Sequence, residues 1–599
     1  MTTLAKSSVA SRWFAASAGA LAIAMSLGVS ASPASATECL LDTVDDGRVT
    51  QIPNNPAPDT DGGATSVGTD SLACGVGAVA GPLATAVGPR AVASGGSATA
   101  TGDSSRASGA GSAAYGASAL AGGTTSSAVG ANAQAIGNKT VAVGVNSLAR
   151  GESAVSVGDG SQALGSGATA VGVAAFAPGV NASAYGANAQ AIANKAVSVG
   201  VNSLARGESA VSVGDGSRAL GSGAAALGVA ANAAGVTSSA FGANAQAIGN
   251  KTVSVGVNSL ARGDSAVSVG DGSQALGSGA AAIGVAANAA GTTTAAFGAN
   301  AQALGNKSVS VGVNSLARGE SAVSVGDGSQ ALGSGASALG VSALASGFAA
   351  SAFGANAQAT GARSVATGVN AAARGTSSVA IGDTSTASGT GAIAIGLNQS
   401  ASGNGAVAIG DPNTAIGTGA VAVGADNTAN GQGAVAIGDL NIAIGQGSVA
   451  LGNASNAASA GNVALGDSAA ATGIRSFAGG TRTTAAGDSS VAIGDGSRAV
   501  GSGAAGIGVS ANAFGVTSAA FGANAQALGN KSVSVGVNSL ARGESAVSIG
   551  DGSQALGSGA AALGVAANAA GITSSAFGAN AQSLGDKSVS VGVNYWLVA

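Results

Sequence analysis

The chain has 599 residues, a formal net charge of −4, 8% charged residues, 103 glycines, two cysteines and no histidine. It is too long for one ordinary core, too apolar for disorder, and without the basic patch that nucleic acid requires. Without histidine, the usual general bases, nucleophile pairs and metal ligands are almost exhausted, so no catalytic residue, cofactor or metal is expected.

Residues 1–36 read as an export signal. Lys6 and Arg12 supply the positive end, an apolar stretch runs from about Trp13 to Val29, and Ala34-Ser35-Ala36 sets cleavage after Ala36. No other stretch is long and apolar enough to cross a membrane as a helix. Residues 37–83 hold Cys39, Cys74, Pro53, Pro56 and Pro58, and are expected to be an irregular cap over the first open edge of a repeat array. A Cys39–Cys74 disulfide would contribute roughly 3–4 kcal/mol in an exported protein; free thiols and bonds between chains are the alternatives.

From Ala84 a fourteen-residue unit repeats as far as Asn594, and the repeat region is taken as 84–599. Numbering the unit from Ala84, position 5 is always glycine and position 12 nearly always so, with Ala193 and Ser459 the exceptions. Between the glycines lie two short stretches of period-two alternation, which means strands joined by glycine turns. Such strands bury nothing alone, so successive coils must stack into a parallel β-solenoid. Valine and isoleucine at positions 2 and 4 are expected to point inward against small residues at 8 and 10, with the alanines and serines of positions 1 and 3 outside. Val311, Val325 and Ala331 should therefore be internal and Gln330 external. The aromatics at position 4 (Tyr185, Phe241, Phe297, Phe353, Phe521 and Phe577) are expected to fill the core. Blocks of 56 residues begin at 140, 196, 252, 308 and 532, and a divergent centre occupies about 364–489.

The units SVAIGDTSTASGTG (378–391) and AVAIGDPNTAIGTG (406–419) resemble the YadA-like head repeat of trimeric autotransporter adhesins. The resemblance covers about 84–594. It implies an all-β fold, a left-handed parallel β-roll of 14-residue coils, with three chains side by side. It also implies display on the outer membrane surface of a Gram-negative bacterium, and adhesion to a host matrix protein, glycan or cell surface. The small residues expected outside at positions 1 and 3 would let the chains of a homotrimer approach closely. The family's heptad stalk and barrel-forming strands do not come after Asn594, where the chain reads Tyr595-Trp596-Leu597-Val598-Ala599. Membrane contact is expected only through such an anchor, lost to a frameshift, an early stop or a gene boundary. Without it the chain would be extracellular or periplasmic.

Two sets of charges recur every four coils. Arg150, Arg206, Arg262, Arg318 and Arg542 share position 11, and Lys139, Lys195, Lys251, Lys307, Lys531 and Lys587 share position 14. They are either a multivalent surface for a repetitive polymer or charges that preserve solubility and protect sheet edges. The aspartates of the Gly-Asp-Gly triplets at 159, 215, 271, 327 and 551 read as turn residues, one carboxylate per four coils being a thin ligand set for calcium. Gly501, Gly503 and Gly506 spell a dinucleotide-binding pattern but lack its strand-turn-helix setting. The alternative to an adhesin is a structural, spacer-like coat protein with no ligand of its own.

Overall fold

A computed structural model describes residues 39–42, 64–67 and 70–597, and the signal segment with its cleavage after Ala36 lies outside the described residues. The described residues fall into two units, one ending at Ser209 and one beginning at Ala210. Each is a parallel β-solenoid, with no helix among the described residues.

The coil is clearest in the second unit. Val309–Val311 is the first strand of its coil, Leu316–Ala317 the second, and the next coil repeats them as Val323–Val325 and Gln330–Ala331. The pairing is parallel with a fourteen-residue step, Val309 opposite Val323 and Leu316 opposite Gln330. Each amide of this ladder bonds the adjacent coil, as Val309 N–H does to Ala322 O at 2.8 Å and Leu316 N–H to Ser329 O at 2.8 Å.

Two glycines make the circuit close. Gly312, at position 5, has φ 126°, and a Cβ there would stand 2.6 Å from Gly326 O. At position 12 a Cβ on Gly319 would overlap Gly333 O outright. Adjacent coils therefore touch backbone to backbone at both corners, which hardly any side chain permits, Ala193 and Ser459 being the exceptions at position 12. Positions 7 and 14 also take the left-handed conformation in most coils, as glycine in some (Gly328 and Gly335) and as other residues elsewhere, Lys307 at φ 57° and Asn314 at φ 55° among them. Asparagine at position 7 suits that demand, since its short polar side chain tolerates the left-handed region.

The interior is the reverse of the one expected. Ala317, Ala322 and Ala331 are fully buried, and so are Ser310, Ser315, Ser324 and Ser329. Positions 1, 3, 8 and 10 thus line the inside, whereas Val309, Val311 and Val323 are only half-buried and Val325 is exposed. Ala331 inside and Gln330 outside agree with expectation. The reason is width. Ser310 and Ser315, on facing strands, meet hydroxyl to hydroxyl at 2.7 Å, so two one-carbon arms span the whole interior. A valine pair has no room there. At Gly506, also position 3, even a Cβ would come within 2.7 Å of Arg498 O.

The first unit begins upstream of Ala84. Thr65–Ser66 pairs in parallel with Val79–Ala80, and Ser71–Cys74 with Thr85–Val87, Leu72 standing opposite Thr85. That step is thirteen residues, one short of the repeat, and hides the coil from a fourteen-residue alignment. Cys39–Asp42 runs antiparallel along Ser71–Cys74, with Cys39 opposite Cys74 in register. Cys74 is disulfide-bonded.

In the second unit the divergent centre stretches the strands. Val407–Ile416 and Val421–Asn430 are continuous over ten residues each, running straight through the corner that is elsewhere a turn. Asparagine at position 8 makes this possible. Asn427 Nδ2 donates to Asn413 Oδ1 at 2.9 Å, to Val423 O at 3.1 Å and to Gly438 O at 2.7 Å. Its own Oδ1 accepts from Asn441 N–H and Nδ2 at 3.0 Å each. The result is an internal asparagine ladder that satisfies the backbone of the straightened corner.

Candidate interaction faces

Each coil presents two sheet faces and two corners. The first face is built from positions 2 and 4, whose side chains the narrow interior expels. Position 4 is valine, isoleucine, leucine or an aromatic in nearly every coil, and position 2 is valine in about half of them, with alanine or serine in most others, so the face is mainly apolar. The aromatic residues expected in the core lie on it instead: Tyr185 is 41% exposed, Phe521 38%, and Phe241, Phe297, Phe353 and Phe577 36% each. Each phenylalanine stands beside an aliphatic residue of the coil before it, Ile283 beside Phe297 and Leu339 beside Phe353. Half-exposed apolar side chains recurring at position 4, interrupted at Thr101, Thr367 and Gly479, are unusual on a lone soluble surface.

The second face carries positions 9 and 11, where leucine and glutamine alternate with arginine, asparagine and isoleucine. Arg150 and Arg206 in the first unit, and Arg262, Arg318 and Arg542 in the second, are exposed at its margin. The lysines are not on this face. Lys139 and Lys195, and Lys251, Lys307, Lys531 and Lys587, project from the second corner, also exposed. Among the described residues, none of these arginines or lysines is in an ion pair; the pairs present are Arg90–Asp103 at 3.6 Å and Arg482–Asp495 at 3.4 Å. The arginines and lysines therefore form separate rows, not one cluster.

The corners show a device that composition does not reveal. Asp327 Oδ1 accepts the N–H of Val313 at 3.0 Å, and Asp271 that of Val257 at 2.9 Å. The Gly-Asp-Gly carboxylates are thus occupied with the corner backbone fourteen residues earlier. Position 13 does the same at the other corner, Asn306 Oδ1 accepting from Thr292 N–H at 2.9 Å. Position 7 adds an outer chain of amides, in which Asn300 Nδ2 donates to Asn314 Oδ1 at 3.1 Å. The sequence signal for these bonds is Asn or Asp recurring beside a glycine, which is indistinguishable there from generic turn chemistry. Among the described residues no three His, Cys, Asp or Glu side chains are grouped as a metal would require.

The coils described above also match a known repeat in sequence. The YadA head domain repeat matches at residues 80–105, 121–147, 149–175, 163–189, 233–259, 247–273, 289–315, 317–343, 345–371, 373–398, 415–441, 471–497, 515–539 and 569–594. No curated protein matches the chain. The matched segments cover more than half of the 599 residues and recur in both units, so the chain belongs to the family of the YadA head domain repeat.

Proposed function

We propose that the chain is the head of a bacterial surface adhesin, working as a homotrimer and binding a host matrix protein, glycan or cell surface by many equivalent weak contacts. One observation carries the reading: the same exposed surface returns every four coils, so any contact made once is offered again. By strand spacing the interval is roughly 19 Å. The YadA-type family and the solenoid fold are of structural, adhesin-like kind, and the chemistry on the surface is that of recognition.

Assembly follows from the apolar face. With positions 2 and 4 half-exposed, a single chain leaves its largest hydrophobic side chains in water, and two further copies are the occupants that cover them. This replaces the argument from small outward residues, because positions 1 and 3 are interior. In the same reading residues 1–36 direct export and are cleaved after Ala36. A Cys39–Cys74 bond fastens the edge strand, and the repeats face the extracellular side of a Gram-negative outer membrane.

The test uses proteins with one, two and four 56-residue blocks, each carrying the N-terminal segment 37–83, on collagen, fibronectin and cultured cells. Binding should climb steeply with block number, because added blocks raise effective concentration. It should weaken with salt if the arginine and lysine rows contribute. Equal binding at every length would mean a single local site, in one block or in residues 37–83, in place of many equivalent ones. No binding at any length would favour a spacer.

A further inference from the structure

Four corners carry the same kind of tripeptide: Asn138-Lys139-Thr140, Asn250-Lys251-Thr252, Asn306-Lys307-Ser308 and Asn530-Lys531-Ser532. Asn-x-Ser/Thr is the acceptor sequence for sugar attachment to an asparagine amide. In every case Oδ1 is already engaged. It accepts the backbone N–H of Thr124 at 3.0 Å, and of Val236, Thr292 and Val516 at 2.9 Å. Nδ2, the atom that carries the sugar, makes no hydrogen bond among the described residues. Glycosylation removes one N–H and leaves Oδ1 an acceptor, so the coil loses nothing by it. Three other such tripeptides differ: at Asn453-Ala454-Ser455 Nδ2 donates to Asp467 Oδ1 at 3.0 Å, at Asn398-Gln399-Ser400 Oδ1 accepts from the Thr384 hydroxyl at 3.2 Å, and at Asn181-Ala182-Ser183 the serine is only half-buried.

The third residue of each tripeptide is turned the other way. Thr140, Thr252, Ser308 and Ser532 are fully buried at position 1. Their hydroxyls donate to the carbonyls of Gly137 and Gly249 at 2.7 Å, and of Gly305 and Gly529 at 2.6 Å. A transferase that reads this hydroxyl cannot reach it once the coil has closed. We propose that Asn138, Asn250, Asn306 and Asn530 are glycosylation sites, modified before folding and displaying their sugars along the lysine-bearing corner. In the reaction Nδ2 bonds the anomeric carbon of a nucleotide-activated or pyrophosphate-linked sugar. The anomeric C–O bond to phosphate breaks, the phosphate group leaves with the bonding pair, and the amide proton passes to a base of the transferase.

The chain contains its own controls. Asn194-Lys195-Ala196 keeps the corner bond, Oδ1 accepting from Val180 N–H at 2.9 Å, but lacks the hydroxyl. Asp586-Lys587-Ser588 has the hydroxyl and the corner bond, to Ile572 N–H at 2.7 Å, but no amide nitrogen. Peptide mass spectrometry of the full chain from cells that express it naturally should find a hexose or N-acetylhexosamine increment on the four asparagines and none on Asn194 or Asp586. All four unmodified, or Asn194 modified as fully as Asn250, would overturn the proposal. In cell-free synthesis, an asparagine glucosyltransferase with its nucleotide-sugar donor should label the chain when present during synthesis. Added after folding it should leave these asparagines unlabelled, and Thr252→Ala should remove label from Asn250 alone. Equal labelling before and after folding would contradict the order of events.

Discussion

At the scale of single residues, the governing quantity is the width between the two strands of a coil. The Ser310–Ser315 contact sets it at two one-carbon side chains, and Ala317 and Ala331 fill the same layer with no exposure. Each of these buried serines also has somewhere to send its hydrogen, Ser315 Oγ donating to Gly312 O at 3.0 Å. This coil therefore holds its polar groups at little cost, since buried hydroxyls are expensive only when unpartnered, as those of Ser147 and Ser497 are at position 8 of other coils. It has no slack for volume. Ala317→Leu should destabilise its coil by about 3 kcal/mol, the upper end of ordinary overpacking, because the backbone on the far side cannot retreat without breaking the ladder. Val311→Ala, on the outward face, should cost under about 1 kcal/mol within the coil, since the side chain is only partly withdrawn from water. Hydrogen exchange of the amides from 309 to 331 compares the two; a larger cost at Val311 would restore an interior lined by valine.

At the scale of the coil, strands of two or three residues are held by neighbours above and below, so what happens at the corners decides how far a strand extends. In the centre of the second unit Asn413, Asn427 and Asn441 replace the small residue at position 8, and the corner straightens into strand. Asn427→Ala would orphan the N–H of Asn441 and the carbonyl of Gly438, both now partnered by the Asn427 side chain. Buried orphans of this kind cost about 1–3 kcal/mol each, so a loss of about 3 kcal/mol is expected. It should appear as reduced exchange protection between 421 and 441, while the exposed Gln330→Ala should change protection by less than about 0.5 kcal/mol. Similar effects from both would mean that the ladder is incidental.

The coil length, the strands and the corners were legible in the sequence because glycine at positions 5 and 12 tolerates hardly any substitute and alternation has only one period. Which face looked inward was not. A strand read by period two offers two opposite assignments, and the choice between them rests on the assumption that larger apolar residues seek the interior. Val311 and Phe353 break that assumption because the space inside was already closed by alanine and serine. Ala331 and Gln330 were legible since a small residue beside a polar one admits one answer. The asparagine ladder was illegible for a different reason: asparagine next to glycine is also what an ordinary turn looks like.

At the scale of the whole molecule, the inverted interior changes why copies should associate. A mainly apolar face formed by positions 2 and 4 repeats in nearly every coil, with exposed valine, isoleucine, leucine and phenylalanine side chains on it. Each coil adds only a small apolar area, but the areas sum along the repeat, so association should be strong even though no single contact is. The most direct test is sedimentation equilibrium of the folded chain at micromolar concentration. The account predicts a homotrimer that falls apart when valines of this face, such as Val309, Val311 and Val323 with their counterparts in other blocks, are replaced by lysine. A stable, soluble monomer of the unaltered chain would contradict it.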